Sequence, residues 1–147
     1  MFYYIKVTAK SGKEIELNGK EDGPIKAYLK RVSVKIDTVE ENVQNKASNV
    51  LNKVELELDI NENTNQICKD FMDWSLSDSG DDIYRTVHID IYNTSKVIRS
   101  FDLEEMFVED CFEEYEKKDN KDNGLFTLKL IQQANKGDKF LHDVNQL

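Results

Sequence analysis

One stretch with helical spacing, set among stretches with two-residue spacing, constrains this chain most. Residues 64–77 read TNQICKDFMDWSLS. Ile67, Phe71 and Trp74 fall at i, i+4 and i+7, Cys68 fills the same stripe, and Lys69, Asp70 and Asp73 lie to the side. That pattern predicts an amphipathic helix. Asn63 is the expected N-cap, with Gln66 three residues on. On either side the apolar residues recur every second position: Val54, Leu56, Leu58 and Ile60 before it, then Ile83, Val87, Ile89 and Ile91 after it. Such alternation is the signature of half-buried strands. The expected class is therefore mainly β (α+β), with one helix covering the open end or face of a sheet or barrel. With 147 residues, a single domain spanning 1–147 is the expectation.

The rest of the chain extends this reading. Tyr3, Ile5, Val7 and Ala9 alternate, Ser11-Gly12-Lys13 turns the chain, and Ile15 and Leu17 resume the pattern, which predicts an N-terminal hairpin. Ile25, Ala27 and Leu29 alternate on odd positions, whereas Val32, Val34 and Ile36 alternate on even ones. A period of two changes parity only through an extra residue, so a bulge is expected near Lys30-Arg31. Val97, Arg99, Phe101 and Leu103 predict a further strand, and so do Phe126, Leu128 and Leu130. Residues 117–124 read as a hydrophilic turn. The tail, 133–147, keeps Phe140, Leu141, Val144 and Leu147, so it is expected to dock on the body.

Two segments resist assignment. Residues 37–53 are polar, with Val39, Val43, Val50 and Leu51 as the apolar exceptions. They are expected to form a projecting loop or ribbon that orders against a partner. Residues 102–118 read both ways. Leu103, Met106, Phe107 and Cys111 stand at helical spacing, and Asp102 with Glu105 resembles a capping box. As a strand, the same segment places Met106 and Val108 on one face and Phe107 and Cys111 on the other.

No catalytic, cofactor or metal site is expected. His88, on a strand, lacks a partner nucleophile, and Cys68 and Cys111 sit among apolar neighbours. The cysteines form no CxxC pair, which suits a reducing cytoplasm. Four scattered Cys and His side chains do not make a zinc site. Residues 119–124 faintly resemble a calcium loop, but Lys121 occupies an oxygen-ligand position and Leu130 stands where the bidentate glutamate belongs.

The net charge of −9 is concentrated. Residues 102–122 hold ten acids against three lysines, which supplies −7 of it. Phosphates would be repelled, so nucleic acid is not an expected partner. Residues 1–60 are neutral, with ten bases and ten acids. The acidic stretch is read first as a solvated face, with Glu109, Asp110, Glu113 and Glu114 as the residues to meet a basic partner. One alternative function follows: a small acidic binding protein, such as an immunity protein or inhibitor, that neutralises a basic partner.

Several local patterns resemble one family. The strand ending at Ile60 leads into the Ile67/Phe71/Trp74 helix. YRTVHIDIYN (84–93), FDLEEMFVED (101–110, with Met106 and Val108 at apolar positions) and LFTLKLIQQ (125–133) then follow in order. This succession resembles the tube proteins of contractile injection systems, the Hcp family of type VI secretion and phage tail tubes, over a little more than half the chain. The opening, MFYYIKVTAKSGKEIEL, does not match that family. The resemblance implies a small two-sheet β-barrel with one flanking helix, and it makes 106–116 a strand. It also implies structural work rather than catalysis: hexameric rings that stack into a hollow tube, with sheath, baseplate or effector proteins as partners. The subunit would be cytoplasmic before assembly, exported as part of the tube, and would not itself insert into a membrane. Residues 37–53 would then touch the neighbouring ring, with Val39, Val43, Asn45, Val50 and Leu51 as subunit-interface candidates.

Overall fold

The computed structural model describes residues 1–38, 50–118, 121–133 and 140–143. Eight strands and two helices follow one another: β1 (Phe2–Ala9), β2 (Glu14–Gly19), β3 (Leu29–Thr38), β4 (Val50–Asp59), α1 (Asn65–Ser75), α2 (Gly80–Ile83), β5 (Arg85–Asn93), β6 (Lys96–Lys118), β7 (Lys121–Gln132) and β8 (Phe140–Asp143). The protein is mainly β. Its strands lie in the order β2-β1-β5-β6-β7-β4-β3, with β8 also on β6, and every pairing is antiparallel.

The alternation explains the strands. Ile5, Val7, Ile15 and Leu17 from the first hairpin are all buried, as are Val54, Leu56 and Leu58 from β4 and Phe126, Leu128 and Leu130 from β7. They join Cys68, Phe71 and Trp74 of α1 in one core. Both ends of the sheet thus contribute to a single interior, so the sheet curls around it. The curl brings its two outermost strands together at one point. A Cβ on Gly19, the last residue of β2, would lie 3.3 Å from the side chain of Leu29, the first residue of β3, and 2.7 Å from the Tyr3 carbonyl. Only glycine allows so close an approach.

Three details correct the reading of the sequence. Residues 24–28 form turns, not strand, with the Tyr28 and Leu29 amides donating to the Ile25 carbonyl at 2.9 and 3.1 Å. Ile25 and Leu29 are nevertheless both buried. Their four-residue separation is a turn of chain that happens to preserve odd parity. The expected bulge does occur, between Leu29 and Arg31. Thr64, rather than Asn63, stands at the N-cap of α1. Asn61 organises this end: its side chain accepts from the Asn63 and Thr64 amides, while the Thr64 hydroxyl donates to the Asp59 carbonyl. Finally, one short helix, α2, occupies the start of what alternation assigns to a strand beginning at Ile83.

The ambiguous segment is strand. β6 runs for 23 residues and is bent by two bulges past Ser100, with a third between Val97 and Arg99 near its start. Arg85 and Val87, two residues apart on β5, face Met106 and Leu103, three apart on β6. The extra residue falls where Glu105 adopts φ 59°. This bulge sends the first half of β6 along β5 and the second half along β7. It also explains the helical spacing. Leu103 and Met106 are both fully buried, three apart, because an extra residue intervenes. The second bulge, between Val108 and Asp110, shifts parity again.

Within the stretch read as a turn, 117–124, strand pairing continues to Lys118 opposite Lys121, and residues 119–120 lie outside the described residues. In the tail, Phe140–Asp143 pairs with Ser100–Leu103 of β6, in line with the end of β7.

Candidate assembly edges

A strand paired on one side presents unused backbone N–H and C=O groups on the other. Among the described residues, four such edges remain, the shortest of them on β8, which pairs only with β6. β3 pairs only with β4, and β2 only with β1. Past Met106, β6 pairs only with β7, because β5 ends at Arg85. Helix α1 packs against both β2 and β6. β3 has no such flanking helix among the described contacts.

The two longer edges differ in charge. β3 carries exposed Lys30, Arg31 and Lys35. Lys30 lies 3.2 Å from Asp59, and Arg31 lies 3.1 and 3.8 Å from Glu55 and Glu57, so part of this charge is shared with β4. Near its end stands Ile36, 58% exposed. On β6, Glu109, Asp110, Glu114 and Glu116 are exposed, while Glu113 is half-buried and accepts from the Tyr115 hydroxyl. Asp110 also accepts from the Cys111 amide at 2.9 Å. A bulge and charged side chains are usual means by which a strand edge avoids indiscriminate pairing.

The acidic candidates of the sequence, Glu109, Asp110, Glu113 and Glu114, therefore share the unpaired half of β6. Of the other set, Val39, Val43 and Asn45 lie outside the described residues. Val50 and Leu51 open β4, opposite Thr38 and Asp37. The ends of 37–53 are thus paired strand. The basic edge of β3 was not singled out by sequence reasoning. Its signal was present in Lys30, Arg31 and Lys35, interleaved with Val32 and Val34.

A polar junction holds the helical end together. Trp74 donates from Nε1 to the Ile83 carbonyl at 2.8 Å. The Arg85 guanidinium lies 5.0 Å from the Trp74 ring centre, and its Nε donates to the Asp82 carbonyl at 2.8 Å. Asp82 accepts in turn from the Ser11 hydroxyl and from Lys13, the latter at 3.2 Å, which staples α2 to the β1–β2 turn. Burial pushes the Arg85 pKa down, against the pull of Asp82 and Asp70.

His88 has an acceptor on each side. Nδ1 lies 2.7 Å from Asp102 and Nε2 lies 3.0 Å from Asp90. Ionised carboxylates only accept, so this geometry suits the doubly protonated imidazolium. Burial opposes the charge, but the two aspartates outweigh it and raise the pKa above 6.5. Ser100 donates to Asp90 at 2.7 Å rather than to His88, so these residues do not form a nucleophile–base pair. Burial, with Glu113 nearby, pushes both thiols, Cys68 and Cys111, up to about 11. That is the opposite of an activated nucleophile. Among the described residues, no group of His, Cys, Asp and Glu could hold a metal ion.

No protein-family model matches this sequence, and no curated protein is similar to it. Solved structures do share its fold. A crystal structure of an Hcp protein superposes with a TM-score of 0.56 at 9% identity, over 99% of this chain and 99% of that one. A chain of the anti-feeding prophage baseplate, in a six-fold symmetrised cryo-EM structure, gives 0.56 at 13% identity, over 99% and 95%. The sheath–tube complex of PVC, an extracellular contractile injection system, in its extended state gives 0.54 at 10% identity, over 96% and 88%. The chain has an Hcp-like fold.

Proposed function

We propose that this chain is a structural subunit of a contractile injection tube, six copies closing into a ring and rings stacking into a hollow tube. The observation that carries the reading is the pair of unsatisfied edges, one basic on β3 and one acidic on β6, in a molecule with the Hcp-like fold. Edges of opposite charge suit a head-to-tail contact, in which each copy offers β3 to one neighbour and β6 to the other. Heterologous contacts of this kind close into rings when the rotation permits. Backbone pairing supplies the affinity, and the charge supplies direction and register. The six-fold symmetry of the baseplate relative supports the number. In this reading residues 37–53, whose ends form a β3–β4 ribbon, reach the adjacent ring. Sheath, baseplate or effector proteins are the further partners, no residue need be catalytic, and the subunit is cytoplasmic until assembled.

Reversing one edge tests this. Lys30→Glu with Lys35→Glu sets like charges against β6 and is expected to abolish ring-sized particles in light scattering. Adding Glu109→Lys and Glu114→Lys to the same chain is expected to restore them. Failure to restore, with every variant folded, overturns the edge assignment. A chain that stays monomeric and binds a basic protein in a salt-dependent way would instead point to the acidic binding protein.

A further inference from the structure

The junction around Arg85 borders a half-open cavity of about 320 Å³ between α1 and the β1–β2 hairpin. Lys13 and Ile15 line it from the hairpin, Asp70 and Asp73 from the helix, and Arg85 from β5. Arg85 is only 4% exposed. Its Nε is satisfied by the Asp82 carbonyl and one face of its plane by Trp74. Among the described residues, its two terminal nitrogens have no hydrogen-bond partner, and the side chain lines the cavity. A guanidinium held rigidly by its inner edge, with its outer donors turned to a cavity, matches a planar carboxylate.

The other charges around the cavity are mostly neutralised. Asp73 pairs with Lys69 at 2.9 Å, Glu14 with Lys6 at 3.7 Å and Lys13 with Asp82 at 3.2 Å. Asp70 takes part in no ion pair among the described residues and accepts only from the Gln66 amide, at 2.9 Å. One cavity therefore holds a cation and an anion that attract each other through space without a hydrogen bond between them, each with hydrogen-bonding capacity left over. A simple anion would meet the acids of the rim. A simple cation would meet Arg85 and Lys13. A molecule carrying both charges satisfies both residues.

We propose that this cavity binds a small zwitterion of the amino-acid type, its carboxylate on Arg85, its ammonium on Asp70 and its side chain toward Ile15. The volume is at the lower end of the range for small-molecule sites, as such a ligand requires. The site borders β2 but shares no residue with the β3 and β6 edges on which the tube reading rests, so it holds or fails independently of that reading.

Trp74 is the only tryptophan, and Arg85 lies against it, so its emission reports on the cavity. The probes are L-leucine, N-acetyl-L-leucine, which lacks the cation, and L-leucine methyl ester, which lacks the anion. L-Leucine is expected to shift the emission saturably, with the two blocked forms at least roughly tenfold weaker. Arg85→Lys should weaken L-leucine by a similar factor. Should that variant fail to fold, Asp70→Asn, a partly exposed helix-surface change, is expected to bring L-leucine down to the level of N-acetyl-L-leucine. No saturable response to L-leucine into the tens of millimolar overturns the proposal. So does equal binding of all three probes, or an Asp70→Asn variant that still prefers the zwitterion. The titrations are run where light scattering shows constant particle mass, which separates this result from assembly.

Discussion

Trp74 ties three parts of the molecule together. Its ring centre lies 6.3 Å from that of Phe71 in the core, its indole N–H holds α2 through Ile83, and its face carries Arg85. Trp74→Phe keeps most of the packing but leaves the Ile83 carbonyl without its donor. The expected cost is about 1–3 kcal/mol. Trp74→Ala adds a cavity beneath a buried cation, and about 3–5 kcal/mol is expected from urea denaturation. His88 makes a pH-dependent contribution of definite sign. Its folded pKa is raised above 6.5 by Asp102 and Asp90. The stabilisation is therefore complete below 6.5 and is lost as pH rises through the folded value. Relative to His88→Gln, the native chain should lose stability between mildly acidic and mildly alkaline pH. A difference that stays constant or grows with pH would refute the imidazolium assignment. At this scale the sequence was partly legible. The Ile67/Phe71/Trp74 stripe announced a buried helix face, and His88 stood out as a histidine on a predicted strand. Arg85 falls between Ile83 and Val87 on the alternating face with no visible role, because its partners, Asp82 of α2 and Trp74 of α1, lie in helices that strand periodicity does not show.

At the scale of elements, alternation reveals strands wherever one face is buried, and it misleads wherever an extra residue enters. β1, β2, β4, β5 and β7 were readable for the first reason. β6 was not, since bulges after Leu103 and Val108 reset its parity and mimic a helix. The bend is open to test. Glu105 holds a left-handed backbone, φ 59°, that β-branched residues strongly resist. Glu105→Val should cost about 1–2 kcal/mol, whereas Glu105→Gly should be close to neutral, its relief offset by the Lys10 contact at 3.6 Å and by chain entropy. Equal effects of the two substitutions would mean that the bulge is not the constrained point. The β3–β4 ribbon makes a second case. Deleting residues 44–50 should leave the melting transition of the body in place while weakening the stacking of rings. Normal stacking in such a variant would remove that segment from the interface.

For the whole molecule, the core is self-sufficient but the sheet is not closed. Both halves bury their apolar faces in one interior, yet β3 and the far half of β6 end in unsatisfied backbone. The core was legible from periodicity alone. Which edges stay unpaired was not, because edge status depends on strand order, which periodicity does not encode. The most direct test is the mass and shape of the purified chain over a rising concentration series, read by light scattering and negative-stain imaging. The account predicts closed rings of a fixed multiple of the 17.1 kDa subunit, and short stacks of rings at the highest concentrations. A 17.1 kDa particle that persists throughout, with the β3 amides protected from hydrogen exchange by the chain itself, would contradict it.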